Sequence, residues 1–161
     1  MFDKNILNLA QELISTLKKQ GKTLVSAESC TGGLVVSALT SISGSSSVVY
    51  GGYITYANEA KNQMIDVPMA LIEEYGAVSE QVARAMAKGA LSKSGADISI
   101  AITGIAGPTG GTKEKPVGLV HFACATSGEI YHQKKLFDKD KSRDFIRLIS
   151  VNTALEMVLS F

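Results

Sequence analysis

The sequence predicts an α/β protein in which helices cover both faces of a mixed, mainly parallel sheet, giving three layers in one domain over residues 1–161. Strand-like segments alternate with amphipathic helical segments along the chain, as is typical of a layered α/β fold. Near the C-terminus two strand-like segments follow each other across a short turn, which predicts an antiparallel hairpin within the sheet. Hydrophobic residues make up 45% of the 161 residues and charged residues 19%. This balance is sufficient for one hydrophobic core.

The first third of the chain is predicted to contain a helix, a strand, a second helix and a second strand. The helix covers residues 3–20, ends at Gly21, and places on one stripe Ile6, Leu9, Ala10, Leu13 and Leu17. The first strand covers 23–27, and the segment Glu28–Gly33 leads into a helix that runs to about Ser41. Residues 48–56, rich in Val, Tyr, Ile and Thr, are predicted to form the second strand.

Three helices are predicted in the middle of the chain. Asn58 is the predicted N-cap of a short helix that ends at Ile65, and a further helix over 69–75 ends at Gly76. Ser79 caps a longer helix through Ser94, which Gly95 closes. The residues of that helix expected to face inward are Val82, Met86 and Ala90.

The last third of the chain is predicted to contain a buried strand, a loop, a hairpin and a helix. The apolar run 98–102 has the length of a central strand, and the Gly- and Pro-rich stretch 104–116 follows as a loop. Residues 117–126 and 130–137 form the hairpin. The final helix covers about 140–159 and aligns on one face Phe145, Leu148, Ile149, Asn152, Leu155 and Leu159.

Charge and composition exclude several classes of function. The 16 basic residues nearly balance the 15 acidic ones, and no polybasic run occurs, so binding of nucleic acid or a membrane by bulk charge is not expected. The uncharged run 29–58 contains five glycines, which argues against a membrane span. No signal peptide pattern is seen, so Cys30 and Cys124 are expected to be reduced thiols of a soluble, cytoplasmic protein. The histidines and cysteines lack metal-ligand spacing, so no zinc site is expected.

The placement of the glycines indicates where a site lies. Two uncharged stretches, 29–58 and 98–112, together hold nine of the 15 glycines. The first follows the predicted strand 23–27, and the second contains the end of the strand predicted over 98–102. Ligands of α/β sheets gather at the carboxyl ends of strands, and glycine allows close approach of the backbone to a ligand. The alternative interpretation is that these glycines only form tight turns.

Ser29 and Lys61 are candidates for nucleophilic catalysis. Ser29 lies where a strand gives way to a helix predicted to begin near residues 31–33, and free N–H groups there favour a developing anion. If Asn58 is an N-cap, Lys61 is the third helical residue, and the helix dipole lowers its pKa. Such a lysine can deprotonate a serine, with Tyr56 relaying the proton. The alternatives are that Ser29 or Thr31 is merely an N-cap and that Lys61 is a solvated surface residue.

Basic residues at the start of the last helix oppose its dipole, a conflict that an anionic ligand would relieve. Arg143 and Arg147 are four residues apart and therefore share a helix face that can hold a phosphate. The equally weighted alternative is salt bridging to Asp140 or Asp144.

Several motifs in a fixed order give the chain a family resemblance. In chain order the motifs are Ala27–Gly33 (AESCTGG), Tyr56–Lys61 (YANEAK), Tyr75–Ser79 (YGAVS), Thr103–Pro108 (TGIAGP), Gly110–Gly111, Lys115–Gly118 (KPVG) and the late Arg143. The chain thereby resembles the CinA C-terminal domain family, the PncC-type nicotinamide-nucleotide amidohydrolases or NMN deamidases. The resemblance covers essentially the whole chain, and the sequence shows no N-terminal CinA-type domain, so it is similar to the standalone form.

This resemblance implies hydrolysis of the carboxamide of nicotinamide mononucleotide to nicotinate mononucleotide and ammonia, without a metal or organic cofactor. It implies Ser29 as nucleophile, Lys61 as general base and Tyr56 as proton relay, with the Gly32–Gly33 region supplying oxyanion donors. The phosphorylated nucleotide would be held by residues 103–107 and Arg143. The full set of implied substrate-binding positions is Glu28, Cys30, Thr31, Gly32, Gly33, Asn58, Thr103, Gly104, Ala106, Gly107 and Arg143. The family also implies a homo-oligomer, a dimer or larger.

Three alternatives stay open at this stage. Cys30 is a rival nucleophile, because thiolates form readily at helix N-termini. The chain could instead be a nucleotide-binding or regulatory module without turnover. It could also be an amidase for another phosphorylated amide, since neither Arg143 nor the glycine loops specify a pyridine ring.

Overall fold

A five-stranded sheet with the order β2-β1-β3-β4-β5 forms the centre of the protein in the computed structural model, which describes residues 2–161. The strands are β1 (Leu24–Glu28), β2 (Val49–Ile54), β3 (Ile98–Gly104), β4 (Leu119–Ala125) and β5 (Ile130–Leu136). Strand β1 pairs in parallel with β2 and β3, whereas β4 pairs antiparallel with β3 and β5. The sheet is mixed, as predicted, but its parallel and antiparallel pairs are equal in number.

Across residues 2–161, six helices cover the sheet: α1 (Lys4–Gln20), α2 (Leu34–Thr40), α3 (Asn58–Ile65), α4 (Met69–Tyr75), α5 (Glu80–Ser94) and α6 (Arg143–Ser160). One apolar cluster joins α1, α2 and α6 to one face of the sheet, and a second joins α3, α4 and α5 to the other. The predicted three-layer α/β architecture is confirmed. A short 3₁₀ turn over Ser45–Ser47 was not predicted.

Alternation along β3 shows how the two faces differ. Ile98, Ile100 and Ile102 pack into the cluster with α1, α2 and α6, whereas Ala101 packs under α5. Small residues suit that second face because α5 lies close to the sheet and to α3. A Cβ added at Gly89 of α5 would collide with the carbonyl oxygen of Ile65, the last residue of α3. Gly89 therefore sets how near α3 lies to α5.

Helix ends follow local sequence signals at several positions. The side chains of Asp3 and Ser79 accept from backbone N–H groups at the starts of α1 and α5. Gly21 and Gly95 end these helices with positive φ angles of 64° and 69°. The predictions for Ser79, Gly21 and Gly95 are confirmed, whereas Asp3, predicted as the first helical residue, is the N-cap of α1.

Three further helix starts differ from the predictions. Helix α2 begins at Leu34 with Gly33 as N-cap, so neither Ser29 nor Thr31 caps it. The N-cap of α3 is Ala57, so Asn58 is the first helical residue and Lys61 the fourth. Helix α6 begins at Arg143, three residues later than predicted.

The inward face of α6 also differs from the predicted one. Phe145 is 43% exposed, whereas the buried residues of α6 are Ile146, Ser150, Val151, Thr153, Ala154, Leu155, Met157 and Val158. The Ser150 and Thr153 hydroxyls donate to carbonyl oxygens one turn earlier, which satisfies them inside the protein. Two polar residues, Ser150 and Thr153, thus belong to the core face of α6. The predicted face omitted them and therefore lies at a different angle around the helix.

The uncharged run 29–58 folds as a loop, α2, the 3₁₀ turn and β2 rather than as one helix. Within residues 2–161, no helix combines the length and the apolar character that crossing a membrane requires.

Candidate active site

Ser29 directly follows β1, at the carboxyl end of the parallel part of the sheet. Its backbone N–H donates to the Ile102 carbonyl of β3 (3.0 Å), and its own carbonyl accepts from the Gly32 N–H (3.1 Å). These two bonds fix the backbone on both sides of the side chain. The residue is 9% exposed. Ser29 is therefore held in one place and almost withdrawn from solvent.

Lys61 reaches Ser29 from α3. Its Nζ lies 3.2 Å from Oγ of Ser29, 2.9 Å from the Thr55 carbonyl oxygen and 3.2 Å from the Tyr56 carbonyl oxygen. The side chain is only 1% exposed, and no carboxylate of residues 2–161 lies within 4.0 Å of Nζ. Burial lowers the pKa of Lys61. The predicted direction is confirmed, but burial rather than the helix dipole is the main cause, and the solvated-lysine alternative is wrong.

Tyr56 and Arg143 meet at the edge of this pair. The Arg143 guanidinium donates to the Tyr56 hydroxyl (3.2 Å) and to the Gly107 carbonyl (2.8 Å), joining two loops. Within residues 2–161 the Tyr56 hydroxyl forms no hydrogen bond to Ser29 or Lys61, and no carboxylate lies within 4.0 Å of Arg143. The structure therefore places the tyrosine hydroxyl beside a cation rather than between the serine and the lysine.

The carboxylate of Glu28 is buried beneath the start of α2. It accepts from the backbone N–H groups of Gly33 (2.9 Å), Val35 (3.1 Å) and Val36 (3.0 Å), and from the Ser26 hydroxyl (3.0 Å). A negative charge at a helix N-terminus is favourable, and here it satisfies N–H groups that the helix leaves unpaired. Glu28 has no exposed surface. Its expected role in binding substrate is replaced by a role in holding the helix start.

Arg147 holds the same loop from the carbonyl side. Its Nε donates to the Cys30 carbonyl and its Nη2 to the Thr31 carbonyl, both at 3.1 Å, and Asp144 lies 3.7 Å from its Nη1. The guanidinium is therefore committed to the backbone and to a carboxylate. Although Arg147 shares a helix with Arg143, it is not placed as the second half of a phosphate clamp.

Two backbone N–H groups beside Ser29 are left without acceptors. The Gly32 N–H donates to Ser29 and the Gly33 N–H to Glu28, so neither is free to hold an oxyanion as expected. In contrast, the N–H groups of Cys30 and Thr31 donate to no other residue within residues 2–161. The Thr31 N–H belongs to the same peptide unit as the Cys30 carbonyl that Arg147 contacts. The free donors thus lie one and two residues after Ser29.

Cys30 is unsuited to act as the nucleophile. Burial raises the pKa of its thiol to about 12. A thiol with this pKa holds its proton at neutral pH and is a poor nucleophile. The alternative based on a reactive Cys30 is therefore disfavoured.

The remaining predicted positions divide between surface and interior. Asn58 is exposed at the first position of α3. The buried Thr103 hydroxyl donates to the Ala77 carbonyl (2.8 Å), and Gly104 packs so closely on β4 that a Cβ there would collide with Val120. Ala106 is buried, and the hydroxyl of buried Thr31 has no partner within residues 2–161. Nor do those residues contain a group of three His, Cys, Asp or Glu side chains placed to hold a metal ion.

Comparison with known proteins identifies the family. Residues 6–161 match the sequence profile of the CinA C-terminal domain. The chain belongs to the CinA C-terminal domain family. The CinA-like protein of Synechococcus sp. strain RCC307 is 49% identical over 151 residues, which are 94% of this chain and 36% of that protein. The CinA-like protein of Geobacter sp. strain M21 is 45% identical over the whole chain, and 38% of it is covered. The chain thus spans little more than a third of these relatives.

Solved structures of the CinA superfamily have the same fold. The competence/damage-inducible protein CihA of Agrobacterium tumefaciens superposes with a TM-score of 0.97 at 46% identity, covering 99% of this chain and 97% of that one. A CinA superfamily protein of Escherichia coli gives 0.92 at 36% identity, covering 99% and 92%. The family identified from the sequence motifs is thereby confirmed.

Sequence reasoning missed several features that complete the site of this CinA-type domain. The Thr55 carbonyl, which contacts Lys61, gave no sequence signal, because any residue supplies a carbonyl. Arg147 did give a signal, its position four residues after Arg143, but its contacts lie 116 and 117 residues away in the sequence. Only the folded chain shows that it binds backbone rather than ligand.

Proposed function

We propose that this chain is a serine amidase that hydrolyses the carboxamide of nicotinamide mononucleotide, giving nicotinate mononucleotide and ammonia. The observation that carries the proposal is the 3.2 Å contact between Oγ of Ser29 and Nζ of a buried Lys61. A nucleophile within hydrogen-bond distance of a base with a lowered pKa is the arrangement that activates serine. The pyridine nucleotide as substrate comes from the family resemblance, and the contacts around Arg143 support an anionic one.

The three contacts of Lys61 satisfy the ammonium as donor to all three oxygens, and they also accommodate the neutral amine that a general base requires. A neutral amine has two N–H donors and one lone pair. The carbonyls of Thr55 and Tyr56 accept the two N–H groups, so the lone pair is left for the hydroxyl proton of Ser29. Lys61 thus acts as the general base without Tyr56 as a relay, and Tyr56 works with Arg143.

The first half-reaction forms an acyl-enzyme. The Ser29 oxygen attacks the carboxamide carbon while its proton passes to Nζ of Lys61, and the carbonyl oxygen becomes an oxyanion. The free N–H groups of Cys30 and Thr31 are the donors proposed to hold this oxyanion. The carbon–nitrogen bond then breaks, the Lys61 ammonium gives its proton to the leaving nitrogen, and ammonia departs. The nicotinoyl group is left as an ester on Ser29.

The second half-reaction reverses these proton transfers. Lys61, again neutral, takes a proton from water as the water oxygen attacks the ester carbon. The tetrahedral intermediate collapses with cleavage of the bond to Ser29, whose oxygen recovers the proton from Lys61. Nicotinate mononucleotide is released. Lys61 accepts and returns the proton in both half-reactions.

Arg143 is proposed to bind the phosphate of the substrate. It is exposed, lies at the first position of α6, and has no carboxylate partner within residues 2–161. A guanidinium that is not neutralised binds a phosphate well, often through two parallel hydrogen bonds. The contacts of Arg143 with Tyr56 and Gly107 hold the cation beside the catalytic pair.

The test is ammonia release from nicotinamide mononucleotide, with nicotinamide riboside and free nicotinamide as substrates lacking the phosphate. We expect release from the mononucleotide in the wild type, and a loss of about a thousandfold or more in Ser29→Ala and in Lys61→Met. Cys30→Ala is the matched control and retains activity. Activity in Ser29→Ala would overturn the mechanism.

The alternatives give different results in the same assay. Release of ammonia from another phosphorylated amide, with none from nicotinamide mononucleotide, favours the amidase for a different substrate. A folded wild type that binds nicotinamide mononucleotide by calorimetry but releases no ammonia favours the nucleotide-binding module. Neither result is expected from the proposal.

We also infer that residues 1–161 act as one domain in a cytoplasmic homo-oligomer. Large exposed apolar side chains lie on edge strand β2 and the segment after it: Tyr50, Ile54, Tyr56 and Met64. Apolar surface of this kind often marks a protein interface. Cys30 and Cys124 are both free thiols, which suits a reducing compartment. Light scattering coupled to size-exclusion chromatography tests the assembly, and a monomer at micromolar concentration contradicts it.

A further inference from the structure

A cavity of about 450 Å³, away from Ser29 and Lys61, lies where the N-terminal end of α5 meets the antiparallel part of the sheet. Its lining includes Ser79, Gln81, Lys115, His121 and Lys134, none of which takes part in the mechanism above. His121 is only 8% exposed, and Lys134 is its register partner on β5. The cavity therefore brings together a buried imidazole, two lysines and the start of a helix.

A chain of contacts favours one placement of the protons on the two histidines. Oε2 of Glu80 is 3.5 Å from Nδ1 of His132, and Nε2 of His132 is 3.0 Å from Nδ1 of His121. The carboxylate favours a proton on Nδ1 of His132, which leaves its Nε2 as a hydrogen-bond acceptor. Nδ1 of His121 must then carry the proton that it donates. The remaining nitrogen, Nε2 of His121, is an unprotonated acceptor without a partner within residues 2–161.

Charged groups of both signs surround His121. Lys115 approaches from the loop before β4 and also donates to the Tyr75 carbonyl, Lys134 lies on β5, and the carboxylates of Glu80, which pairs with Arg84, and Glu114 line the cavity as well. Burial, His132 and the two lysines lower the pKa of His121 to about 4, and Glu80 opposes them weakly. Burial also lowers the pKa of His132. Both imidazoles are therefore neutral at physiological pH, beside two ammonium groups.

A ligand matched to this cavity must be an anion that also carries a hydrogen-bond donor. The lysines and the first N–H groups of α5 suit anionic oxygens. The bare Nε2 of His121 needs an N–H or O–H donor, because a fully deprotonated anion would place oxygen lone pairs against it. Monohydrogen phosphate has both kinds of group, whereas sulfate at neutral pH has only acceptors.

We propose that this cavity binds a monohydrogen phosphate group, with the phosphate O–H donating to Nε2 of His121 and the anionic oxygens held by Lys115, Lys134 and the start of α5. This site is separate from Arg143 and does not depend on the proposed amidase activity. A donor matched to a fixed acceptor makes the site selective for phosphate over sulfate.

The test is histidine NMR of the full chain at about pH 8, where the imidazoles are neutral. The chain has only two histidines, so each ring is followed separately. We expect both rings to carry their proton on Nδ1. Titration with inorganic phosphate shifts the His121 signals, and sulfate at equal ionic strength binds about tenfold more weakly, the effect of one hydrogen bond. A proton on Nε2 of His121, no shift with phosphate, or equal binding of the two anions overturns the proposal.

Three variants separate the contribution of His121 from that of Lys115 and test whether phosphate acts from the Arg143 site instead. His121→Phe loses the preference for phosphate, and Lys115→Met weakens both anions together, since it removes charge rather than the acceptor. In Arg143→Ala the phosphate effect on His121 persists. If it vanishes in that variant, phosphate acts from the amidase site and the proposal fails. The wild-type tautomer measurement stays decisive even if a variant does not fold.

Discussion

Lys61 and Ser29 are 32 residues apart in the sequence, yet Nζ of one lies 3.2 Å from Oγ of the other, and both side chains are nearly buried. The lysine comes from a helix on one face of the sheet and the serine from the end of a central strand. Such a contact needs both elements to be fixed.

Activity is expected to rise with pH and to level off below the ordinary pKa of lysine. Lys61 must be unprotonated to act as a base, and burial lowers its pKa. The pH dependence of kcat/KM measures this. The exposed residue Lys88 supplies a matched control, since Lys88→Met leaves the profile unchanged whereas Lys61→Met removes activity. A rate that falls as pH increases from neutral would contradict Lys61 as base.

The same shift links folding to pH. Because the folded-state pKa of Lys61 is below its unfolded value, the unfolded chain binds more protons between the two values, and stability rises with pH in that window. Urea unfolding of the wild type and of Lys61→Met at several alkaline pH values tests this. The variant is expected to show a smaller rise in its free energy of unfolding, and an identical rise in both proteins contradicts the assignment.

Glu28→Gln is expected to lower the free energy of unfolding by about 3 kcal/mol, since one carboxylate oxygen that accepts from backbone N–H groups becomes an amide NH₂ facing them. The start of α2 then shifts, so activity falls as well. Glu12→Gln, at an exposed position on α1, is the control and costs less than about 0.5 kcal/mol. Equal stabilities of the two variants in urea would show that the buried carboxylate is not needed.

Arg143→Ala and Arg147→Ala are expected to change different kinetic constants. Arg143→Ala raises KM for the mononucleotide with little effect on kcat, since it is proposed to bind phosphate in the ground state. Arg147→Ala lowers kcat about tenfold with little effect on KM, because a cation on the Cys30 carbonyl strengthens the Thr31 N–H as an oxyanion donor. Steady-state kinetics of both variants measure the split. Arg147 is a positioning residue, and a KM defect in its variant would argue against that role.

Gly89→Ala is expected to destabilise the fold by about 1–3 kcal/mol through overpacking, although alanine is the better helix former. The added methyl group would push against the Ile65 carbonyl and displace α3, which also carries Lys61. Activity per folded molecule therefore falls too. Gly128→Ala is the control, because its Cβ meets no atom within 4 Å. Thermal unfolding and the amidase assay check both parts, and a fully active Gly89→Ala variant disproves the link.

Local signals predicted the fold well, and long-range contacts account for most errors. Asp3, Ser79, Gly21 and Gly95 mark helix ends through bonds to adjacent residues, so the sequence alone reveals them. The start of α2 was misplaced because its N-cap, Gly33, has no side chain, and the free N–H groups are satisfied by Glu28, a strand residue five to eight positions earlier. Rules for N-caps consider Ser, Thr, Asp and Asn at the helix boundary, and a glutamate inside a strand falls outside them.

The candidate site was predicted in its residue types but less well in their roles. Ser29 and Lys61 were recognised, and the structure brings them together. The family resemblance implied oxyanion donors in the Gly32–Gly33 region, yet internal hydrogen bonds occupy both N–H groups. Which N–H stays free depends on how Arg147 and Glu28 hold the loop, and neither contact has a sequence signature.

The change of strand direction at β3 separates the two proposed sites. The parallel strands support Ser29, whereas the antiparallel hairpin supports His121 and His132, and β3 is the strand that both halves share. The proposed amidase site and the proposed phosphate site therefore rest on different strand pairs of one sheet, so a substitution at an exposed position of β5 can alter the second site without touching Ser29 or Lys61.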